Sequence, residues 1–175
     1  MSDVEVRRVF ATDADRVRAL RLEALSDPVA GIAFLETREN AEVQPPSFWT
    51  DRTVGAALGD TAAQFIAERG DEWVGTVTVL LPEPASVDDF GRVHPEEHSL
   101  LVGVYVSPAH RGTGLLAELV AAAGAWAEDR GRTAMLLDVH QDNARARAAY
   151  ERLGFVPTGH VWAGPNGPEL EMVRG

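Results

Sequence analysis

The sequence predicts an α/β domain, a central mixed sheet with helices on both faces. Three observations carry this. The stretch LLVGVYVSPAHRGTGLLAELVAAAGAWA, Leu100 to Ala127, joins an apolar, β-branched run to a long helical pattern through a glycine-containing turn. Leu100, Leu101, Val102, Val104, Tyr105 and Val106 are too uniformly apolar for a strand with one wet face, which predicts a central strand. Leu115, Leu119, Ala123, Trp126 and Ala127 then recur at helical spacing and lay one apolar stripe against a sheet. Finally, Ala134 to Val139 (AMLLDV) is a second apolar run reached through that helix, so the two strands are parallel. A chain of 175 residues has room for one domain with a sizeable core.

The other elements follow from local signals. Val4 to Val9 alternates and reads as a first strand. Thr12, with Asp15 three residues later, predicts a helix start of capping-box type, and Val17, Leu20, Leu22 and Leu25 continue its apolar face. Asp27 to Pro46 has little periodicity and reads as a loop. Ser47 is expected to cap a second helix containing Phe48, Trp49, Val54 and Leu58. Ala62 to Ala67 is a strand, and Arg69-Gly70-Asp71-Glu72 is a hairpin turn into Trp73 to Leu81. Pro82 to Glu97, rich in Pro, Asp and Glu, is expected as a mobile surface loop beside the central strand. Gly103 inside that strand predicts a bulge or a close backbone approach. Asn143 to Leu153 forms a helix closed by Gly154. Phe155 to Trp162 and Glu169 to Val173 complete a hairpin around Gly164-Pro165-Asn166-Gly167.

Composition narrows the function. A net charge of -11 and a pI near 4.8 argue against a nucleic-acid footprint and suit attraction of a cationic small molecule. No 18-residue apolar run spans a membrane, and the first residues lack a secretory pattern, so a cytoplasmic protein is expected. Cysteine is absent, which removes disulfides, thiolate metal ligands and a cysteine acyl-enzyme. His94, His98, His110, His140 and His160 have no metal-ligand spacing, and no metal is expected.

A strand that runs through Gly112 and Gly114 into a helix N-terminus is an anion site in outline. First-turn N–H groups have no intrahelical partner, the helix dipole favours negative charge, and Arg111 adds a planar fork of donors. Three phosphate ligands compete for it. A nucleotide-hydrolase loop needs lysine and Ser/Thr after its second glycine; Leu115 and Leu116 stand there, and the chain has no lysine. A dinucleotide fingerprint fits Gly112-x-Gly114-x-x-Ala117, with Asp138 about 20 residues on. However, Gly112 stands four positions after Pro108, and fewer than 40 residues follow Asp138.

The third reading comes from two motifs in order. Arg111-Gly112-Thr113-Gly114-Leu115-Leu116 resembles the pyrophosphate loop of the GCN5-related N-acetyltransferases (GNAT), with Leu116 in place of a small residue. Asn143, Ala146, Tyr150, Gly154 and Phe155 are similar to that family's second signature. The resemblance covers Val4 to Val173 and implies a single N-acetyltransferase domain over residues 4–175. It implies a mostly antiparallel mixed sheet with two splayed parallel strands, and acetyl-CoA as cosubstrate in the gap between them. The implied CoA-binding residues are Arg111, Gly112, Thr113, Gly114, Leu115, Leu116, Asn143 and Tyr150, with the strand backbone at Val104, Tyr105 and Val106. The implied partner is a small-molecule or peptide amine; a homodimer is an expected assembly, and neither nucleic acid nor membrane is an expected partner. Rival readings are a CoA-binding regulatory domain without turnover and a nicotinamide-dependent oxidoreductase that uses Asp138.

Acetyl transfer to an amine needs two proton movements. An alkylammonium with a pKa of about 10 leaves roughly one molecule in a thousand nucleophilic at pH 7, a handicap of about 4 kcal/mol. The leaving thiolate, with a thiol pKa near about 8.5, needs a proton or strong stabilisation. The resemblance makes Tyr150 the acid for the thiolate. For the base, Glu97 and His98 lie just before the central strand, Glu36 lies in the presumed acceptor loop, and His140 follows Val139.

Overall fold

The computed structural model describes residues 3–175. Seven strands form one sheet in the order β1-β2-β3-β4-β5-β7-β6. They are β1 (Val4–Arg8), β2 (Ala62–Arg69), β3 (Glu72–Leu80), β4 (His98–Val106), β5 (Ala134–His140), β6 (Val156–Gly164) and β7 (Gly167–Arg174). Every neighbouring pair is antiparallel except β4 and β5, which run parallel, as a helical crossover requires. Helix α5 (Leu115–Glu128) supplies that crossover, and α6 (Ala144–Arg152) follows β5. Helices α1 (Ala14–Ala24), α2 (Ala30–Ala33), α3 (Arg38–Glu42) and α4 (Pro46–Leu58) fill the chain between β1 and β2. No helix among the described residues is long and apolar enough to cross a membrane.

Strand alternation sorts the core into two layers. Ala63, Phe65 and Ala67 of β2 join Leu119, Ala123 and Trp126 of α5 on one face, and the Tyr150 ring belongs to this layer. Ile66 turns to the opposite face and joins Val17, Leu20, Trp49 and Phe34 from the first four helices. The predicted bulge at Gly103 sits between these layers. Val102 pairs with Thr78 and Tyr105 with Thr76, so β4 carries one extra residue, and Gly103 takes φ +61°, a left-handed conformation that favours glycine. The extra residue shifts the phase of the strand. Leu101 packs on the α5 side, as do Val104 and Val106, whereas Tyr105 packs with the first four helices.

Three local expectations need correction. Helix α1 is capped at Asp13 rather than Thr12, and the Asp13 carboxylate accepts from Phe10 N–H and the Arg7 guanidinium instead of closing a capping box. Helix α4 starts at Pro46, because proline's fixed φ and missing N–H suit the first helical position, so Ser47 lies inside it. The stretch from Pro82 to Glu97 is not a loose surface loop. Arg92 and His94 are buried, Val87 bridges Val93, and Arg92 is held by carboxylates of three different segments. Its Pro and Asp residues make tight turns rather than a solvated tether.

Candidate active site

The site begins where β4 and β5 separate. They are paired only from His98 and Ala134 to Leu100 and Leu136. Beyond that point Leu101–Val106 and Leu137–His140 line the two sides of a cavity of about 360 Å³. The cavity runs from the loop before α5, past Asn143 and Tyr150, to Phe34 of the α2 region and Glu169 of β7.

At the α5 end the backbone builds the site. The chain leaves β4, turns through Pro108–His110, and enters α5 with Gly114 as N-cap at φ +91°. The Thr113 hydroxyl closes the turn by donating to the His110 carbonyl at 2.7 Å. Gly114 O receives the N–H groups of Ala117 and Glu118. The five consecutive N–H groups from Gly112 to Leu116 have no acceptor among the described residues. A Cβ at Gly112 or Gly114 would meet nothing within 4 Å, so open space lies over the loop. Free donors, a helix N-terminus and room for a phosphate fit a pyrophosphate. Leu115 is buried in the core, and Leu116 packs beside it while bordering the cavity, so the large side chain leaves its own N–H free.

Arg111 does more than face this loop. Its Nε donates to the Val106 carbonyl at 2.9 Å, and its Nη2 donates to the Asp27 carboxylate, joining the glycine loop to the turn before α2. Burial pushes the Asp27 carboxyl up, but Arg111, the Val29 N–H and Arg145 together hold it below the usual carboxylate range. Two further cavity-lining cations, Arg145 and Arg152 of α6, fall between the named positions of the second signature.

Asn143 caps α6, its Oδ1 accepting from Ala146 N–H at 3.2 Å. About two helical turns further along, Tyr150 lines the cavity and stacks edge-on against Phe155 at 5.8 Å between ring centroids. Burial pushes the Tyr150 phenol well above its ordinary value. It therefore stays protonated at neutral pH, the state an acid requires. Val104, Tyr105 and Val106 line the strand side; the Tyr105 hydroxyl itself turns away to donate to Glu23 at 2.9 Å.

The proposed bases fall differently. Glu97 is exposed, and His98 lies at the paired end of β4, three residues before the strands part; neither borders the cavity. Their place before the strand in sequence puts them at its wrong end in space. Glu36 accepts from Arg21 at 2.8 Å and also lies outside the cavity lining. His140 does border it, but both ring nitrogens are engaged. Asp142 N–H donates to Nδ1 at 3.1 Å, so Nε2 carries the proton and donates to the Asn166 carbonyl at 3.0 Å. Asp138 borders the cavity too, and the buried Arg92 binds it at 2.6 Å. A carboxylate so occupied does not wait for a ribose, and a sheet with a single parallel pair is not doubly wound. The sequence reading passed over Glu169, whose carboxyl also lines the cavity. Its signal was weak, one acid in an alternating edge hairpin, and only the β5–β7 register brings it opposite His140.

Comparison with known proteins agrees with this geometry. The model of the acetyltransferase (GNAT) family matches residues 28–155. The chain belongs to that family. It is 34% identical over 103 residues to N-acetyltransferase 8B of Homo sapiens, covering 57% of this chain and 42% of that one. It is 38% identical over 61 residues to aminoglycoside N(6')-acetyltransferase type 1 of Acinetobacter haemolyticus, covering 35% of this chain and 42% of that one. The chain thus spans less than half the length of these curated relatives. The PaiA N-acetyltransferase of Thermoplasma acidophilum, solved with coenzyme A, superposes with a TM-score of 0.72 over 98% of each chain at 16% identity, a likeness of fold.

Proposed function

We propose that this GNAT protein transfers the acetyl group of acetyl-CoA to an amine by direct attack, without an acyl-enzyme. The observation that carries the reading is the run of five unpartnered N–H groups at Gly112–Leu116, opening into a cavity between two diverging parallel strands. The N–H groups would bind the pyrophosphate, as helix N-termini bind anions generally. The gap between β4 and β5 would take the pantetheine arm, which places the thioester beside Tyr150. The amine then attacks the thioester carbon, a C–N bond forms, the C–S bond breaks, and the Tyr150 phenol donates its proton to the departing thiolate. Chain chemistry supports direct attack as well, since there is no cysteine to carry an acyl group.

The acceptor we assign is a small cationic amine or a peptide amine. A net charge of -11 favours approach of a cation, and one relative is named for acetylating an aminoglycoside. Calorimetric titration with acetyl-CoA, with NADH in parallel, tests the cofactor; thiol release with a panel of primary amines tests the reaction. Micromolar binding of acetyl-CoA with no NADH binding is expected, together with amine-dependent thiol release. Binding of NADH alone would overturn the assignment, and tight acetyl-CoA binding with no thiol release would leave a CoA-binding regulatory domain.

A further inference from the structure

We infer that Glu169 is the catalytic base that takes the proton from the acceptor amine, an assignment that rests on the acetyl-transfer reading above. Three carboxylates line the cavity: Asp27, Asp138 and Glu169. Asp27 is bound by Arg111, and Asp138 is held by Arg92 through Oδ2, its Oδ1 being buried without a hydrogen-bond partner, so Glu169 alone of the three has no arginine on it. Glu169 is only 7% exposed, and among the described residues its carboxylate makes no ion pair and accepts no side-chain hydrogen bond. Glu169 lines the cavity without an ion pair, so its carboxylate is open to a ligand there.

Position supports the same role. On β5, Leu137 and Val139 face α5, whereas Asp138 and His140 face the α2 side. Glu169 is the register partner of His140 and shares its face, so it stands across the sheet gap from the layer that holds Tyr150. An amine entering from the α2 side would meet Glu169 while the thiolate leaves toward Tyr150. The β6–β7 turn is shaped around these side chains. A Cβ at Gly164 would lie 2.9 Å from Glu169 Cγ, and one at Gly167 would lie 2.5 Å from His140 Nε2.

Electrostatics tune the carboxyl toward basicity. Burial raises its proton affinity, His140 opposes this, and Asp138 adds to it. The neighbouring β7 residue on the same face, Glu171, is itself engaged by Arg92 and Thr158, and the β6 partner of Glu169 is the uncharged Trp162. Arg92 carries the charges of Asp88, Asp138 and Glu171 together, and it makes no contact with Glu169. The proton balance then closes. Glu169 takes one proton from the ammonium and passes it to solvent after the reaction. The second N–H proton, lost as the tetrahedral adduct collapses, restores the Tyr150 phenol after it has protonated the thiolate.

The test compares Glu169→Gln with Glu169→Asp and the parent protein, using ethylamine and the weakly basic trifluoroethylamine as probes with saturating acetyl-CoA. Glu169→Gln is expected to lose roughly 100-fold or more in kcat/KM for ethylamine. It should also lose the acidic limb of the pH profile, while trifluoroethylamine, already unprotonated, suffers less than about a tenth of that loss. Glu169→Asp should restore the acidic limb, and acetyl-CoA affinity should be unchanged in both variants. An unaltered pH profile, or equal losses with the two amines, would overturn the assignment. A parent protein that binds acetyl-CoA yet releases no thiol with any amine would instead defeat the acetyl-transfer reading. The base assignment falls with that reading, whereas an unaltered pH profile in a protein that does release thiol sinks the base assignment alone.

Discussion

The two ends of the cavity are built by opposite means. At the α5 end the ligand-facing groups are backbone N–H groups from five consecutive residues, Gly112 to Leu116. At the α2 end they are side chains, Asp138 and His140 of β5 and Glu169 of β7, backed by Arg92 from the segment between β3 and β4. The first needs only local conformation and a helix to follow it. The second needs three distant segments brought together, and it buries several charges to get there. Local backbone sites are therefore cheap in stability and sensitive in binding; assembled side-chain sites are the reverse.

Substitutions can break that contrast. The largest stability effect is expected at Arg92, which is 6% exposed and serves Asp88, Asp138 and Glu171. Arg92→Met should lower folding stability by about 3–5 kcal/mol, because it leaves buried carboxylates without their cation. Burial already raises the Asp138 carboxyl, and loss of Arg92 raises it further. A folded state that binds more protons than the unfolded one loses stability as pH rises, so the variant should be relatively better at pH 5 than at pH 7. Urea unfolding at the two pH values measures both effects, and a loss under about 1 kcal/mol would show that the cluster is not a buried charge network.

Tyr150→Phe probes the middle of the cavity. Turnover should fall on the order of 100-fold, the lower end of what a positioned acid supplies, with the melting temperature and acetyl-CoA affinity nearly unchanged. An affinity loss as large as the turnover loss would make Tyr150 a packing contact rather than an acid.

Gly114→Val addresses the backbone end. A β-branched residue held at φ +91° carries strain of about 1–3 kcal/mol, which the loop relieves by changing shape. Acetyl-CoA affinity should drop roughly 5- to 150-fold while α5 and the core stay folded. Preserved affinity in calorimetry would end the assignment of this loop to the pyrophosphate.

The smallest effect is expected at Asp27, whose partner Arg111 keeps a quarter of its side chain in solvent. Asp27→Asn should cost about 1–2 kcal/mol at neutral pH. The folded-state carboxyl lies below its unfolded value, so its contribution is present above the unfolded pKa and disappears as pH falls through the folded one. Acid unfolding of the Asn variant should accordingly lack that part of the pH dependence.

By itself the sequence determined the central strand, the crossover helix, the parallel pair they imply and the glycine loop before α5, and it left Gly103 as a bulge or a close backbone approach, of which the structure shows the bulge. Each rests on contacts within a few residues, and short-range periodicity, turn chemistry and capping report such contacts directly. Asn143 as a cap and Tyr150 as a cavity residue belong to the same class, because one helix carries both. Tertiary structure alone decided the rest. Glu97 and His98 are adjacent to the strand in sequence, yet strand direction carries them to its paired end. Arg111 was legible as a loop cation, but its partner Asp27 lies 84 residues away. The segment from Pro82 to Glu97 has the composition of a solvated loop, and most of it is exposed, but it is pinned where the buried Arg92 meets acids on β5 and β7. Glu169 became visible only when the β5–β7 register set it across from His140. Long-range pairing is chosen by the energy of the whole core and leaves no local pattern in the chain, and it is this pairing that builds the α2 end of the cavity.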